Sequence, residues 1–373
     1  MNRGMNMEYN IGKSNNSNIE LCVQEATAKF RKPKLILFFS PVNHFDEYAS
    51  LIHQRFPDSI SMGTTVIASF AQNGAEKNAL MAIGIENGIR CSADVLENID
   101  KYPIKYAERV RNCVEKVNTT KNTICLEFTT AFLCAEESVL AALKSVLLDK
   151  QIPVFGGTAG NDCSGNDTKV ALNGGVRERS CVFAIIHNEG GAIKIYRENI
   201  YTPATGNVLT VTKADSKTRK VYEYNHRPAA KVFAQELGIS ESQVTSYFDT
   251  HPMGRVVGDN IYITANCALE QGQSIVYHAR VYNNAKVMVL KPDNYREITA
   301  KTMEKIKQEM PRPSLAILCH CLARTLLFDG DGYLSEYAKE MGNVLGGYVG
   351  FSGYGEQCGE QNFNMTMEVA VFE

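Results

Sequence analysis

The chain has 373 residues, 44% hydrophobic and 21% charged, with 39 Lys and Arg against 41 Asp and Glu. That length exceeds one ordinary core and suits two or three domains. The balanced charge excludes a nucleic-acid binder built on surplus cations. Short apolar runs broken by Gly, Asn and Pro exclude collagen, coiled coil and disorder.

Residues 1–18 are polar and Asn-rich, with no apolar core of the kind a signal peptide carries. A helix is expected over 19–30. Three later segments then share one pattern of apolar strand, helix of about a dozen residues, and strand running into Gly and Thr. The first has strand 34–40, helix 45–56 and strand 60–63, ending at Thr64 and Thr65. The second has strand 123–129, helix 136–148 and strand 152–155, closed by the glycine-rich run 156–160. The third has strand 315–320, a turn, helix 333–341 and a strand from about Val344, closed by Gly346, Gly347 and Gly350. Their near-continuous Val, Ile, Leu and Phe content fits strands covered on both faces.

Between these units the chain reads as antiparallel strands, at 79–86, 177–187, 193–198, 208–213, 261–266, 274–282 and 286–290. Asn283 and Asn284 read as a hairpin turn between the last two. Further helices are expected at 104–117, 229–237 and 295–309. The expected architecture is α/β: mixed sheets with flanking helices in two lobes, built from repeated strand-helix-strand units. The expected division is an N-terminal segment (1–33), a first domain (34–225) and a second (226–373).

The eleven cysteines are odd in number and lie mostly inside apolar segments, such as Cys125, Cys181 and Cys319. That usage suits reduced thiols in a cytoplasm, and no zinc spacing occurs. No run approaches the roughly 18 apolar residues of a membrane span. The run Gly156, Gly157, Thr158, Ala159, Gly160, Asn161, Asp162 is neither a Walker loop nor a dinucleotide fingerprint. A cytoplasmic protein is expected, with no metal, no cofactor, no nucleic acid and no membrane insertion.

That run, with Asn173-Gly-Gly175 and Arg227-Pro-Ala229, resembles the N-terminal domain of the FIST family (F-box and intracellular signal transduction proteins). Cys321-Leu-Ala-Arg324, Gly350-Phe-Ser-Gly-Tyr-Gly-Glu356 and Asn364-Met-Thr366 resemble its C-terminal domain. The resemblance implies a sensory, non-catalytic module that binds small ligands such as amino acids. It also implies an output through a signalling partner such as a chemoreceptor or kinase. Some relatives bind haem and sense nitric oxide, but Phe363 stands where the family often carries a His.

The residues allow more than one chemistry. Glycines after a strand let a backbone approach a ligand, and Thr158, Asn161 and Asp162 add a hydroxyl, an amide and an acceptor; the same run also serves as a tight turn. Gly353 and Gly355 flank Tyr354 beside Glu356, which reads as a site or as a bulged strand end. Arg324, just after an apolar strand, either pairs internally with Glu356 or binds a ligand carboxylate while Glu356 takes an ammonium. The candidate ligand-binding set is thus Thr64, Gly156, Gly157, Thr158, Asn161, Asp162, Cys321, Arg324, Tyr354, Gly355 and Glu356. Two rivals stay open. A noncovalent haem would use His44 or His320. A cysteine enzyme would use Cys321, though strand alternation turns His320 to the other face.

Overall fold

The computed structural model describes residues 7–163, 165–258 and 260–373. The chain forms two compact units, the first running to Arg197 and resuming over Met303–Gln361 and Met367–Glu373. The second takes Glu198–Thr302 and Asn362–Thr366.

The first unit is a threefold repeat. Repeat one comprises β1 (Glu8–Ser14), α1 (Ile19–Ala26), β2 (Leu35–Ser40), α2 (Phe45–Arg55), β3 (Ile60–Thr65), β4 (Ser69–Ala71), β5 (Gly74–Glu76) and β6 (Leu80–Asn87). Repeat two follows the same order with β7 (Ile89–Glu97), α3 (Ala107–Val117), β8 (Thr123–Thr129), α4 (Glu136–Leu147), β9 (Val154–Thr158), β10 (Val170–Leu172), β11 (Gly175–Arg177) and β12 (Ser180–Asn188). Repeat three begins with β13 (Ile193–Asn199) and resumes at α5 (Tyr295–Glu309). It continues with β14 (Leu315–Cys321), α6 (Leu322–Gly330), α7 (Leu334–Leu345) and β15 (Tyr348–Gly353). Its closing strands are β16 (Gly355–Cys358), β17 (Gln361–Phe363) and β18 (Thr366–Phe372).

Each repeat gives its fourth and fifth strands to another repeat's sheet. The sheet orders are β1-β6-β2-β3-β10-β11, β7-β12-β8-β9-β16-β17 and β13-β18-β14-β15-β4-β5. The two central strands of each sheet, β2/β3, β8/β9 and β14/β15, are parallel, as strand-helix-strand crossovers require. Strand alternation sorts the apolar runs onto two faces. Leu35, Leu37 and Phe39 meet Leu126, Phe128, Ile317 and Cys319 in one shared core, while Ile36 and Phe38 pack under α1 and α2. Cys125, Phe183 and Ile185 pack under α3 and α4. At the centre of the shared core, Phe39, Phe128 and Phe351 lie with ring centroids 5.1–5.8 Å apart. Register makes Cys319 the counterpart of Phe39 and Phe128, so the third repeat places its ring on the neighbouring strand instead.

A cyclic set of backbone bonds ties the repeats together where the central strands end. Gly160 N donates to Thr65 O (2.7 Å), Tyr354 N to Thr158 O (3.0 Å) and Ile67 N to Ser352 O (3.2 Å). Donor and acceptor occupy equivalent places in all three.

The second unit is built on a sheet whose main path runs through strands Asn260–Thr264, Met253–Val257, Lys286–Pro292, Leu209–Asp215, Lys220–Tyr224, Ser274–Tyr277 and Asn266–Glu270. A helix, Ala229–Leu237, ends at Gly238 with φ +66° and packs Phe233 against Phe248, Tyr224 and Tyr277.

The α/β class and the three strand-helix-strand units match the expectation from sequence, with four local corrections. The Asn-rich start contains β1, whose alternating Tyr9 and Ile11 pair along β6. The expected turn after β14 is the helix α6. Val344 belongs to α7, and the strand starts at Tyr348. Asn284 does take the left-handed conformation, but the strands on either side of that turn are not neighbours in the sheet.

Candidate functional site

The carboxyl ends of parallel strands are where open α/β sheets take ligands, because loops diverge there and leave backbone groups to be satisfied. The three repeats bring three such ends together. Their equivalent positions carry Ser40 and Thr65, Thr129 and Thr158, and His320 and Ser352, all buried. Five are small hydroxyls, and the sixth is an imidazole. The third end therefore differs chemically from its sisters.

The glycine run of the second repeat answers first to packing. A Cβ on Gly156 would lie 2.0 Å from the Glu127 carbonyl oxygen, and one on Gly157 would lie 2.5 Å from Cys319 Sγ. Thr158 accepts a hydrogen bond from Gln357 Nε2 at 3.0 Å. Thr64 is buried on β3 opposite Phe39, its hydroxyl donating to Thr65 O at 3.3 Å. Asn161 donates to the Gly165 and Asp167 carbonyls (2.8 and 3.2 Å) and accepts from the Cys163 amide (2.9 Å) and the Tyr354 hydroxyl (2.6 Å). Tyr354 also packs edge-on against Phe132 at 4.7 Å. Asn161 and Asp162 line a cleft of about 430 Å³ over the ends of β2 and β3, with Pro41, Asn43, Val66 and Lys77. Lys77 is paired with Asp329.

Arg324 sits in the first turn of α6, which follows β14 without a linker, and its side chain is wholly buried. The guanidinium lies over the rings of Phe328 (4.9 Å) and Tyr337 (5.8 Å), contacts that stabilise a desolvated cation by about 2 kcal/mol. His320 is packed by Phe70, Phe328 and Tyr337 at 5.1–5.5 Å. Its Nδ1 meets Thr325 Oγ1 at 2.8 Å, and Thr325 Oγ1 meets Ser352 Oγ at 2.7 Å. Burial and then the Arg324 charge hold the imidazole well below its ordinary range, so it is neutral.

Gly355 and Glu356 pair with Thr158 and Gly157 on β9, and both are buried. Glu356 belongs with Cys319: after burial, its charge is the largest influence raising the Cys319 thiol, followed by Glu368, which pairs with Cys319 across β18. Arg324 belongs with His320. Adjacent residues of β14 turn to opposite faces, so Cys319 and His320 point away from each other. The structure thus brings Thr158, Asn161 and Tyr354 together. Cys321 is the buried N-cap of α6, while Cys319 is held as a thiol. His44, the other haem candidate, begins α2 at φ +64° and reaches toward Glu47.

Sequence reading missed three groups. Thr325 and Ser352 signal nothing until α6 is folded over β15. Glu127 was visible as one acid inside an apolar strand. Its carboxyl is pushed up to about 8 by burial, although Thr129 and Cys181 donate to it. Glu368 is raised well above its ordinary value by burial and then by Glu356.

The model of the FIST N domain matches residues 34–227 and that of the FIST C domain matches 229–359. The uncharacterized protein MJ1623 of Methanocaldococcus jannaschii is 25% identical over 244 residues, covering 60% of this chain and 46% of that protein, so the match spans under half of the relative's length. The structure of PurLQS from Thermotoga maritima aligns over 98% of this chain and 72% of that one, at 10% identity and a TM-score of 0.20. Among the described residues, no helix is long and apolar enough to cross a membrane. With both domain models matched in order across most of its length, the chain belongs to the FIST family, whose domains are sensory modules of signal transduction.

Proposed function

We propose that this protein senses a small carboxylate or amino-acid-like ligand in the cytoplasm and passes the signal through a partner protein, without catalysing a reaction. The observation that carries this reading is Arg324. Its guanidinium is completely removed from water just past the carboxyl end of β14, the kind of place where open α/β sheets take ligands. Its planar donors match a carboxylate through two parallel hydrogen bonds. Four residues past the aligned strand positions Ser40 and Thr129, the other repeats carry His44 and Leu133, so the permanent charge belongs to this position and not to the repeat as such.

A thermal-shift panel of acetate, succinate, L-glutamate, L-alanine, putrescine and glucose tests the reading. A ligand that binds only the native state raises Tm, by RT ln(1+[L]/Kd) in stability. Shifts with the carboxylates that disappear in Arg324→Lys, a change that keeps the charge but loses the bidentate fork, support it. No shift with any compound overturns it.

A further inference from the structure

Besides the cleft over β2 and β3, one of about 290 Å³ lies past the carboxyl end of β8, within the first unit. Phe132 lines it from the segment after β8, Asp167, Thr168 and Lys169 from the approach to β10, and Glu178 and Arg179 from the turn after β11. The two cations are already neutralised by acids outside the lining. Lys169 Nζ meets both oxygens of Asp46 at 2.9 and 3.0 Å, and Arg179 pairs with Asp100. Arg177 lies outside the lining and donates to the Val176 carbonyl. The carboxylates of Asp167 and Glu178 make no hydrogen bond or ion pair among the described residues, so the cleft keeps an unbalanced negative charge. Thr168 is only 4% exposed, and its hydroxyl oxygen accepts from the Ala131 amide at 2.9 Å. The proton of that hydroxyl has no acceptor among the described residues. Phe132 takes φ +65°, an angle bulky side chains rarely adopt, and its side chain is left 42% exposed.

We propose that this cleft binds a small organic cation carrying a hydroxyl, an amino alcohol such as ethanolamine or choline. The ammonium supplies the counter-charge that Asp167 and Glu178 lack, and the Phe132 ring adds the attraction of its π face. The ligand's oxygen accepts the Thr168 proton. The volume is at the small end for ligand cavities, which suits a molecule of a few heavy atoms. Three residues past the aligned positions Ser40 and His320, the other repeats carry Asn43 and Ala323, so the ring belongs to the second repeat alone. The site is separate from Arg324, which follows the strand end of the third repeat.

Calorimetric titration of the full chain with choline and ethanolamine tests this, with ethylene glycol and tetramethylammonium as controls lacking the charge and the oxygen. Saturable binding of the amino alcohols is expected, weakening as salt screens the carboxylates. Phe132→Leu keeps an apolar side chain but loses the ring, and should weaken choline binding about fivefold. Glu178→Gln should weaken both amino alcohols and flatten the salt dependence. Arg324→Lys should leave both affinities unchanged, which separates this site from the carboxylate reading. The proposal is overturned, and that reading left standing, if neither amino alcohol binds or if either control binds as tightly as choline. Binding untouched by both Phe132→Leu and Glu178→Gln overturns it too, as does loss of choline binding in a folded Arg324→Lys. Both Phe132 and Glu178 are exposed, and should one of their variants not fold, the other decides alone.

Discussion

The Tyr354 amide donates to the Thr158 carbonyl at 3.0 Å, joining the strand end of the third repeat to that of the second. The approach is so close that Gly353 has no room for a side chain: a Cβ there would lie 1.8 Å from that same carbonyl oxygen. Gly353→Ala should therefore cost about 3 kcal/mol, because the obstacle is backbone and cannot swing aside. Gly330→Ala, with nothing within 4 Å of the added carbon, is the matched control and should be neutral or slightly stabilising. Urea unfolding of both variants decides it, and equal midpoints would refute the close-approach account.

The Tyr354 hydroxyl makes a different contribution. It donates to Asn161, which makes three further bonds, to the turn residues Cys163, Gly165 and Asp167. Tyr354→Phe keeps the ring against Phe132 and removes only the hydroxyl, so a loss of about 1 kcal/mol is expected. Proteolysis within the turn should rise in step. A variant as stable and as protease-resistant as the parent would show that the bond contributes nothing net.

These contacts show what sequence could and could not reveal. The three strand-helix-strand units were legible because β2, β8 and β14 are mostly apolar, being covered on both faces. The exchange of hairpins was not. β4, β5, β10 and β11 are three residues each, too short to carry a period of two, and nothing local specifies which sheet receives them. α6 was hidden because Cys321 offers no capping side chain and the helix follows β14 directly. The glycines were conspicuous, but Gly156, Gly157 and Gly353 serve backbone approach between repeats. Arg324 was singled out as a charge in an unusual place, and it is wholly buried. Its neighbour His320 was seen as a haem candidate or as a badly placed base for Cys321, since its hydrogen-bond partner Thr325 lies on α6, which the sequence did not disclose.

The central trio of rings predicts shared cost. Phe351 contacts both Phe39 and Phe128, each from a different repeat. Phe351→Ala should lose about 3–5 kcal/mol. Adding Phe39→Ala should cost less than its own single change, since the cavity already exists and the stacked contact is already gone. Additive losses would mean that the three rings do not act as one cluster.

The buried acid Glu127 predicts how stability varies with pH. Its folded value of about 8 lies above the ordinary 4.5, so between these limits the native state holds a proton that the unfolded chain has released. Stability must then fall as pH rises through that window and level off above it. Glu127→Gln keeps the size and the hydrogen-bonding oxygen for Thr129 while removing the titration. The variant should be the more stable of the two from about pH 8, and the difference should shrink toward about pH 5. Glu368, raised in the same direction, leaves a residual slope in both proteins that cancels in the comparison. Denaturant midpoints measured across this range test the assignment, and parallel slopes in the two proteins would show that Glu127 is not the group that titrates.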